Sequence, residues 1–513
     1  AGPARWMRLH DRLRDAAALH VELPATLNAE LRPYQRDGFA WLMRLTTWAP
    51  GAVLADDMGL GKTVQALALL LARAAEGPAL VVMPTSVLDN WQREAARFAP
   101  TLVLRPLRNK DHLDALTDVA AGEVVLTTWE LLTRHRDAIT EQTWGTVVFD
   151  EAQALKNPAT RRAKAAFAVE AGFRLALTGT PVENRTDELW SVLRAAVPGL
   201  LGGRRDFRAR FAVPIERYGD PRVKATLAAL IRPFVLRRMK AEVAKELPPR
   251  QDIRLDVDLD PGTRRMYDAL RASLQASLGK AGREERAGRR IEVLAALTRL
   301  RQLACHPRLL DPQSPAPAAK VLALRGQLAE LRAEGHQALV FSQFTSLLDL
   351  VRVDLESDGL RVLQLDGRTP GGRRQALVDT FQRGDADVFL LSVKAGGTGL
   401  NLTAASYVFH LDPWWNPAVE DQATDRAHRI GQVRPVTVYR VVARGTVEEA
   451  IYALHRDKRD LVNALLSGTG EARSLTVQEL EALVVYSGKR TWEDQQPAHV
   501  RAMAAPEAAS ETG

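Results

Sequence analysis

Cysteine is almost missing from this chain of 513 residues, which contains only Cys305, and no run of about 20 uncharged apolar residues occurs. A single cysteine excludes a disulfide within the chain and a cysteine-based zinc site, which suits a reducing compartment. Without a long apolar run, no membrane span is predicted. The charged residues 1–14 also lack the apolar core of a secretory signal. We therefore expect a cytoplasmic protein.

The composition is that of a folded protein with a basic surplus. Hydrophobic residues make up 46% of the chain and charged residues 26%, which suits large buried cores. At roughly 150 residues per domain, the length predicts two to four folding units. The net charge of +8 favours a polyanionic partner, although a basic balance alone is weak support for one. The chain begins at Ala1 rather than methionine, which favours a fragment of a longer protein.

Short apolar runs alternate with helix-like segments in two parts of the chain. In the first part the apolar runs are 52–56, 79–83, 124–127, 146–149 and 174–177. In the second part they are 337–341, 361–365, 388–391, 407–411 and 436–442. Buried strands that alternate with helices form parallel sheets. The pattern therefore predicts an α/β protein with two doubly wound lobes.

The pattern also predicts the order of the domains. We expect an N-terminal extension (1–27), a first lobe (28–200), a helical insertion (201–310), a linker (311–319), a second lobe with its own helical insertion (320–475), and a C-terminal brace with a disordered tail (476–513). The charged stretch 279–290 is interpreted as a solvated helix or loop, with a DNA contact as the alternative.

A phosphate-binding loop is indicated directly after the first predicted strand, where residues 56–63 read DDMGLGKT. Glycines let backbone N–H groups face a phosphate, and the following helix directs its positive end at the anion. Lys62 supplies a cation for the β- and γ-phosphates, and Thr63 a hydroxyl ligand for Mg²⁺. Asp56 stands where the common pattern has its first glycine, so an ordinary helix-start turn is the alternative. The candidate ATP ligands are Asp56, Asp57, Met58, Gly59, Leu60, Gly61, Lys62 and Thr63.

Two acids, Asp150 and Glu151, follow another apolar strand. The carboxyl edge of a parallel sheet is where ligands bind in such folds. Asp150 is a candidate Mg²⁺ ligand, partly through water, and Glu151 a candidate for orienting or deprotonating the attacking water. An acidic helix N-cap is the alternative for this pair alone, and the phosphate loop upstream favours the catalytic interpretation.

The motifs of residues 28–470 together resemble those of the Swi/Snf family of superfamily-two helicase-like ATPases. In the first half they are LRPYQRDGFAWL (31–42), DDMGLGKT (56–63), DEAQ (150–153) and LTGTPVEN (177–184). The resemblance implies that Gln35 reads the adenine and that Asp56 is normal for this loop. It further implies that Thr178, Gly179 and Thr180 couple hydrolysis to movement of the lobes. DEAQ replaces the DEAH of relatives, and the resemblance is to a family member of bacterial type.

The second half continues the resemblance. Its motifs are VFSQFTSLLDLV (340–351), LLSVKAGGTGLNLTAA (390–405), DPWWNP (412–417) and QATDRAHRIGQ (422–432). The resemblance implies that Gln422 contributes to ATP binding and that Arg426 and Arg429 are arginine fingers, which complete the site when the lobes close. Their spacing of three predicts one shared helix face, for which a solvated surface is the alternative.

Candidate DNA contacts also follow from the resemblance. They are Thr85, Ser86, Thr127, Thr128, Trp129, Gln343, Lys394, Thr398, Gly399, Asn401 and Trp415. Small hydroxyls, amides and backbone N–H groups suit phosphate contacts that ignore base sequence. A helix cap or turn is the alternative for any one of them, and a core aromatic is the alternative for Trp415. Cys305 and His306 are interpreted as packing residues.

The resemblance implies two RecA-like lobes with the helical insertions of Swi/Snf ATPases, and the cofactors ATP and Mg²⁺. The expected function is a DNA-stimulated ATPase that translocates along double-stranded DNA and remodels or displaces protein–DNA complexes without obligatory strand separation. The alternatives are a strand-separating DNA or RNA helicase, a RapA-like factor that recycles RNA polymerase, and a non-catalytic DNA-binding scaffold. The expected partners are duplex DNA and DNA-bound proteins such as RNA polymerase, on the nucleoid if the source is bacterial, with no membrane partner.

Overall fold

A computed structural model describes residues 3–107, 113–179, 186–280, 286–393, 400–415 and 417–453. The chain folds into two compact units, of which the first comprises mainly Ala1–Leu247 and the second mainly the residues from Pro248 onward. Each unit contains a sheet of parallel strands with helices between them. Among the residues described, none of the helices is both long and apolar enough to cross a membrane.

The first unit has a seven-stranded sheet in the order β3-β4-β2-β5-β6-β1-β7. Its strands are β1 (Gly51–Leu54), β2 (Ala79–Met83), β3 (Val103–Pro106), β4 (Glu123–Thr128), β5 (Trp144–Phe149), β6 (Ala171–Leu177) and β7 (Val235–Leu236). Its helices are α1 (Pro3–Ala18), α2 (Pro33–Thr46), α3 (Lys62–Ala72), α4 (Leu88–Phe98), α5 (Trp129–Arg134), α6 (Arg136–Thr140), α7 (Arg161–Ala168), α8 (Thr186–Ala196), α9 (Arg204–Phe207), α10 (Val213–Tyr218), α11 (Pro221–Ile231) and α12 (Lys240–Val243).

The second unit has a six-stranded sheet in the order β10-β11-β9-β12-β13-β8. Its strands are β8 (Arg250–Val257), β9 (Ala338–Ser342), β10 (Val362–Leu365), β11 (Val388–Ser392), β12 (Tyr407–His410) and β13 (Val436–Ala443). Its helices are α13 (Pro261–Lys280), α14 (Arg286–Cys305), α15 (Ala319–Ala333), α16 (Thr345–Ser357), α17 (Gly371–Gln382) and α18 (Pro417–Thr424). The α/β class predicted from the alternation is confirmed.

Both faces of the first sheet are buried. Successive side chains of a strand point to opposite sides, and the side chains of each side join a different core cluster. Val53 and Val147 join one core cluster, while their neighbours Leu54 and Val148 join another. Apolar residues must therefore run continuously along these strands rather than alternate with polar ones. This burial explains why the central strands were recognisable as short apolar runs.

The region 201–310, predicted as a helical insertion, is divided differently in the structure. Its first part belongs to the first unit and its last part to the second. Each part also supplies an edge strand: β7 pairs with β1, and β8 pairs with β13. The sequence concealed both strands, since β7 has only two residues and β8 (RQDIRLDV) is largely polar and partly exposed. Edge strands need not be apolar on both faces, so they lack the signal of a buried strand.

Candidate active site

Three neighbouring strands of the first sheet lead into the predicted catalytic motifs. Strands β5, β6 and β1 are adjacent and parallel, with Phe149 opposite Ala176 and Leu177 opposite Leu54. The residues that follow these strands are the carboxylate pair, the coupling segment beginning at Thr178, and the phosphate loop. Because parallel strands end at the same edge, all three motifs converge there, as ligand sites do in such sheets.

The phosphate loop has the backbone geometry that its glycines predicted. Gly59 and Gly61 have φ values of 82° and 78°, in the left-handed region that side chains with a Cβ rarely adopt. Gly61 is also the N-cap residue of α3, and a Cβ at this position would collide with Nε2 of Gln35. That Nε2 donates to the Leu60 carbonyl at 3.0 Å. The predicted adenine reader, Gln35, therefore lies directly on the loop.

Lys62 lies within the electrostatic environment of the acids. Its Nζ donates to the carbonyl oxygens of Asp56 at 2.6 Å and Asp57 at 3.1 Å. Burial lowers the pKa of Lys62, and the charges of Glu151, Asp56, Asp150 and Asp57 oppose that shift. The lysine and the carboxylates therefore act on one another at the same sheet edge, as a shared site requires.

Asp150 is a buried carboxylate with both oxygens engaged. Its Oδ2 accepts from Nε1 of Trp91 at 2.7 Å, and its Oδ1 accepts from the backbone N–H of Glu151 at 2.8 Å. Burial, followed by the charge of Glu151, raises the pKa of Asp150 to about 7. Thr63 ends the phosphate loop and Asp150 follows β5 at the same sheet edge, and hydroxyl and carboxylate oxygens are donor types that suit Mg²⁺.

Glu151 holds a strained backbone conformation, with φ of 50°. For a residue that has a Cβ this conformation carries a cost, and such strain is concentrated at functional sites. Its side chain does not cap the short 3₁₀ helix Ala152–Leu155 that follows. The helix-cap alternative for the acidic pair is therefore not what the structure shows.

The coupling segment is linked to Glu151 through Gln153 and lies close to Met58 of the loop. Nε2 of Gln153 donates to Oε2 of Glu151 at 2.6 Å, and Thr178 Oγ1 donates to Oε1 of Gln153 at 2.9 Å. A Cβ on Gly179 would lie 2.9 Å from Cγ of Met58. Thr180 lies outside the described residues. Sequence reasoning quoted Gln153 within DEAQ without assigning it this bridging position.

Trp91 and Arg238 also belong to this site, and sequence reasoning did not select them. Trp91 lies on α4 and donates a hydrogen bond from Nε1 to Oδ2 of Asp150. Arg238 follows β7, and its Nε donates to Oδ1 of Asp56 at 2.9 Å. A tryptophan or an arginine has no motif spacing that marks it in advance, although Arg238 does lie within the segment LRRMK (236–240).

Arg426 and Arg429 do not share a helix face, which corrects the prediction from their spacing. Helix α18 ends at Thr424, and residues 425–430 form turns and bends. The Gln432 side chain organises this segment by donating to the carbonyls of Thr403, Ala405 and Ala427. Arg426 is buried and Arg429 half-buried, and Gln422 lies half-buried on α18.

The first-unit DNA candidates divide by exposure. Thr85 and Ser86 are exposed, as a backbone contact requires, whereas Thr127 and Trp129 are buried. Trp129 stacks on Phe149 and donates from Nε1 to the Asp150 carbonyl at 3.2 Å. Thr128 accepts at Oγ1 from the Leu131 N–H and so caps α5. Direct contact by Thr127 or Trp129 side chains therefore disagrees with the structure, in which Trp129 supports the acidic loop.

In the second unit, Asn401 is exposed and Gln343 half-buried. The backbone N–H of Gln343 contacts the Asp412 carboxylate at 3.3 and 3.4 Å. Trp415 is half-buried and packs against the core with the Arg301 guanidinium 5.2 Å from its ring. Lys394, Thr398 and Gly399 lie outside the described residues.

Two models of known families match the chain: the SNF2-related domain over residues 34–309 and the helicase conserved C-terminal domain over residues 319–431. The first match alone covers more than half of the chain. The chain belongs to the SNF2-related family. This SNF2-related chain is thus an ATP-hydrolysing enzyme of the helicase-like class, and the Swi/Snf resemblance of its motifs is confirmed.

Several relatives share most of this SNF2-related chain. It is 38% identical over 474 residues to YwqA of Bacillus subtilis, named for an ATP-dependent helicase/translocase, with 89% of the chain and 51% of the relative covered. It is 35% identical to the mouse SWI/SNF-related matrix-associated actin-dependent regulator of chromatin subfamily A member 1, with 82% and 42% covered. The chain spans about half the length of the curated relatives it matches.

Solved structures give a similar comparison. The SWI2/SNF2 ATPase core of Sulfolobus solfataricus in complex with dsDNA is 34% identical to this chain, with a TM-score of 0.46. The match covers 89% of this chain and the full length (100%) of that chain. The core domain of the same organism is 35% identical, with 91% of this chain and 96% of that chain covered and a TM-score of 0.44.

Proposed function

We propose that this chain is a DNA-stimulated ATPase that translocates along double-stranded DNA and remodels or displaces protein–DNA complexes without obligatory strand separation. The convergence of Lys62, Asp150 and Glu151 at one sheet edge carries the proposal, because a non-catalytic scaffold has no need of that set. The activity is proposed for the cytoplasm, on the nucleoid if the source is bacterial.

Each residue of the first-unit site has a part in hydrolysis. Lys62 binds the β- and γ-phosphates, Gln35 holds the adenine, and Glu151 orients and deprotonates the attacking water. Thr63 and Asp150 would hold Mg²⁺, which when bound offsets the negative charge of the phosphates. The Gln153 bridge to Thr178 connects the water-activating acid to the coupling segment.

For Arg426 and Arg429 we propose stabilisation of the charge that develops on the transferred phosphoryl group. An arginine in that role contributes roughly 10³ to 10⁵ in rate. Support comes from the motif QATDRAHRIGQ and from the Gln432 side chain, which holds the turn that carries both arginines.

Three observations support duplex DNA as the partner. The chain has a net charge of +8, which favours a polyanion. Thr85, Ser86 and Asn401 are exposed polar side chains suited to phosphate contacts. The relative YwqA is named for a helicase/translocase, a motor class to which the proposed activity belongs.

The deciding experiment measures ATPase rate with duplex DNA, single-stranded DNA and RNA. We expect duplex DNA to stimulate turnover most strongly. Lys62→Ala should reduce turnover at least about 10²-fold because it removes the phosphate cation, while duplex binding by anisotropy stays close to wild type. Exposed Lys164→Ala on α7 is the matched control and should keep full activity. Wild-type turnover that no nucleic acid stimulates would contradict the proposal.

A further inference from the structure

The chain segment after β7 lies along the first residues of the phosphate loop. The Ala55 N–H donates to the Leu236 carbonyl at 2.7 Å, and the Asp57 N–H donates to the Arg238 carbonyl at 3.0 Å. In return, the Lys240 N–H donates to Oδ2 of Asp57 at 3.0 Å. The loop is therefore supported by a backbone that lies more than 170 residues further along the chain, as the separation of 183 between Asp57 and Lys240 shows.

Arg238 makes a bidentate ion pair with Asp56 at the start of this loop. Nε donates to Oδ1 at 2.9 Å and Nη2 donates to Oδ2 at 2.5 Å. The Asp56 side chain is fully buried and that of Arg238 is 12% exposed. A carboxylate this deeply buried requires a paired cation, and a guanidinium fork matches its geometry.

The same guanidinium contacts the helices on both sides of the loop. Nη2 donates to Oε1 of Gln65 on α3 at 3.0 Å, and Nη1 donates to the Tyr34 carbonyl on α2. The guanidinium also lies 5.2 Å from the centroid of the Tyr34 ring. Helix α2 carries Gln35 and α3 begins at Lys62, so one side chain fixes the two helices that present the proposed ATP contacts.

Gly38 shows how closely α2 approaches this cluster. A Cβ at Gly38 would lie 2.7 Å from Nη2 of Arg238 and would collide with Oε1 of Gln65. The glycine in the motif LRPYQRDGFAWL is thereby explained by space for the guanidinium. Asp56, which departs from the common phosphate-loop pattern, is explained by the ion pair.

We propose that Arg238 is a positioning residue for ATP: its ion pair with Asp56 holds Gln35 and the phosphate loop in the arrangement that binds a nucleoside di- or triphosphate. The proposal rests on the proposed ATPase function. In this role Arg238 acts through its contacts with Asp56, Gln65 and Tyr34. Its loss therefore weakens nucleotide affinity more than the chemical step.

The test uses the full chain and compares Arg238→Lys, Arg238→Gln, Asp56→Asn and the combination of Arg238→Gln with Asp56→Asn. Arg238→Lys keeps the charge but loses the fork. Exposed Arg232→Gln, from the same part of the chain, is the control. The readouts are affinity for a fluorescent ADP analogue, KM and kcat for ATP at saturating duplex DNA, and melting temperature.

For Arg238→Lys we expect ADP affinity to fall and KM to rise about tenfold, with kcat within about threefold of wild type. The two sites should be coupled, so the combined variant loses less affinity than the product of the Arg238→Gln and Asp56→Asn single losses. Arg232→Gln should match wild type in every readout.

Wild-type ADP affinity in both Arg238→Lys and Asp56→Asn would overturn the proposal. So would variants that melt earlier yet keep wild-type affinity and KM below their melting point, since that result assigns the pair to stability alone. If wild-type chain binds ADP but DNA fails to stimulate turnover, the proposed function fails, and the ADP measurements still decide the role of Arg238.

Discussion

A lysine that the sequence would place on the surface is buried in the second unit. The side chain of Lys320, at the start of α15, is 1% exposed and forms an ion pair with Glu448 at 2.5 Å. Its Nζ also donates to the carbonyls of Leu411 at 2.6 Å and Val441 at 3.0 Å. The ammonium therefore contacts three places in the fold: Val441 on β13, Leu411 directly after β12, and Glu448 in the segment after β13.

Removing this ammonium should destabilise the second unit strongly. Lys320→Met leaves Glu448 buried without its cation, and breaking one side of such a pair costs about 3–5 kcal/mol. Adding Glu448→Gln should recover part of the loss, because no buried charge is then left alone. Calorimetric melting measures the loss of stability in Lys320→Met and its partial recovery in the variant that also carries Glu448→Gln. Arg332→Met, exposed on the same helix, should change stability by less than about 0.5 kcal/mol. Equal melting of Lys320→Met and wild type would contradict this assignment.

Helix α18, which precedes the arginine turn, is held by buried polar groups of the sheet. Nε2 of His410 on β12 and Oγ1 of Thr424 share a hydrogen bond of 2.9 Å. Glu420 accepts from Nε of Arg440 on β13 at 2.9 Å and from the Trp414 N–H at 2.8 Å. The helix therefore depends on a neutral imidazole beside a charged network.

That imidazole makes the stability of the element pH-dependent. Burial lowers the pKa of His410 to about 4, and the charges acting on it come from Glu420, Arg440, Arg250 and Asp421. Because the folded pKa lies below the unfolded value near 6.5, the unfolded chain binds more protons between these pH values. Stability is thus present above about pH 6.5 and is lost as the pH falls toward 4.

Between pH 7.5 and pH 5 we expect His410 to account for roughly 2 kcal/mol of lost unfolding free energy. Denaturant unfolding at the two pH values measures it. His410→Phe retains the ring that stacks on Phe341 but does not ionise, so its pH dependence should be smaller by that amount. Exposed His20→Gln should keep the wild-type dependence. A His410→Phe profile identical to wild type would count against this role.

At the scale of the whole molecule, the proposed motor should move on duplex DNA without opening it. We expect ATP-dependent displacement of a third strand bound to a duplex, together with no release of a labelled strand from blunt or tailed duplexes. Lys62→Ala should not displace the third strand, since this displacement needs ATP turnover. Robust release of a duplex strand would instead support a strand-separating helicase.

The sequence predicted the strands and the phosphate loop of the first unit, but not every contact of the candidate site. The buried strands and the loop 56–63 carry their signal within a few neighbouring residues, so pattern and spacing located them. The spacing of three between Arg426 and Arg429 is compatible with a helix and with a turn, so the sequence alone cannot choose between them. The Gln432 hydrogen bonds distinguish the turn from the helix. The position of Trp129 in the sequence predicts a DNA contact, and the structure buries its side chain, because a motif position carries no information on burial.

By itself, the sequence determined the α/β class and the family, and it located the lysine and the acids for which we propose a role in hydrolysis, because each depends on a local run of residues. Tertiary structure alone decided that Arg238 pairs with Asp56, 182 residues away, and that β7 and β8 complete the two sheets. Partners so distant share no spacing that a chain can display. Their contact exists only because parallel strands bring their ends to one edge of the sheet.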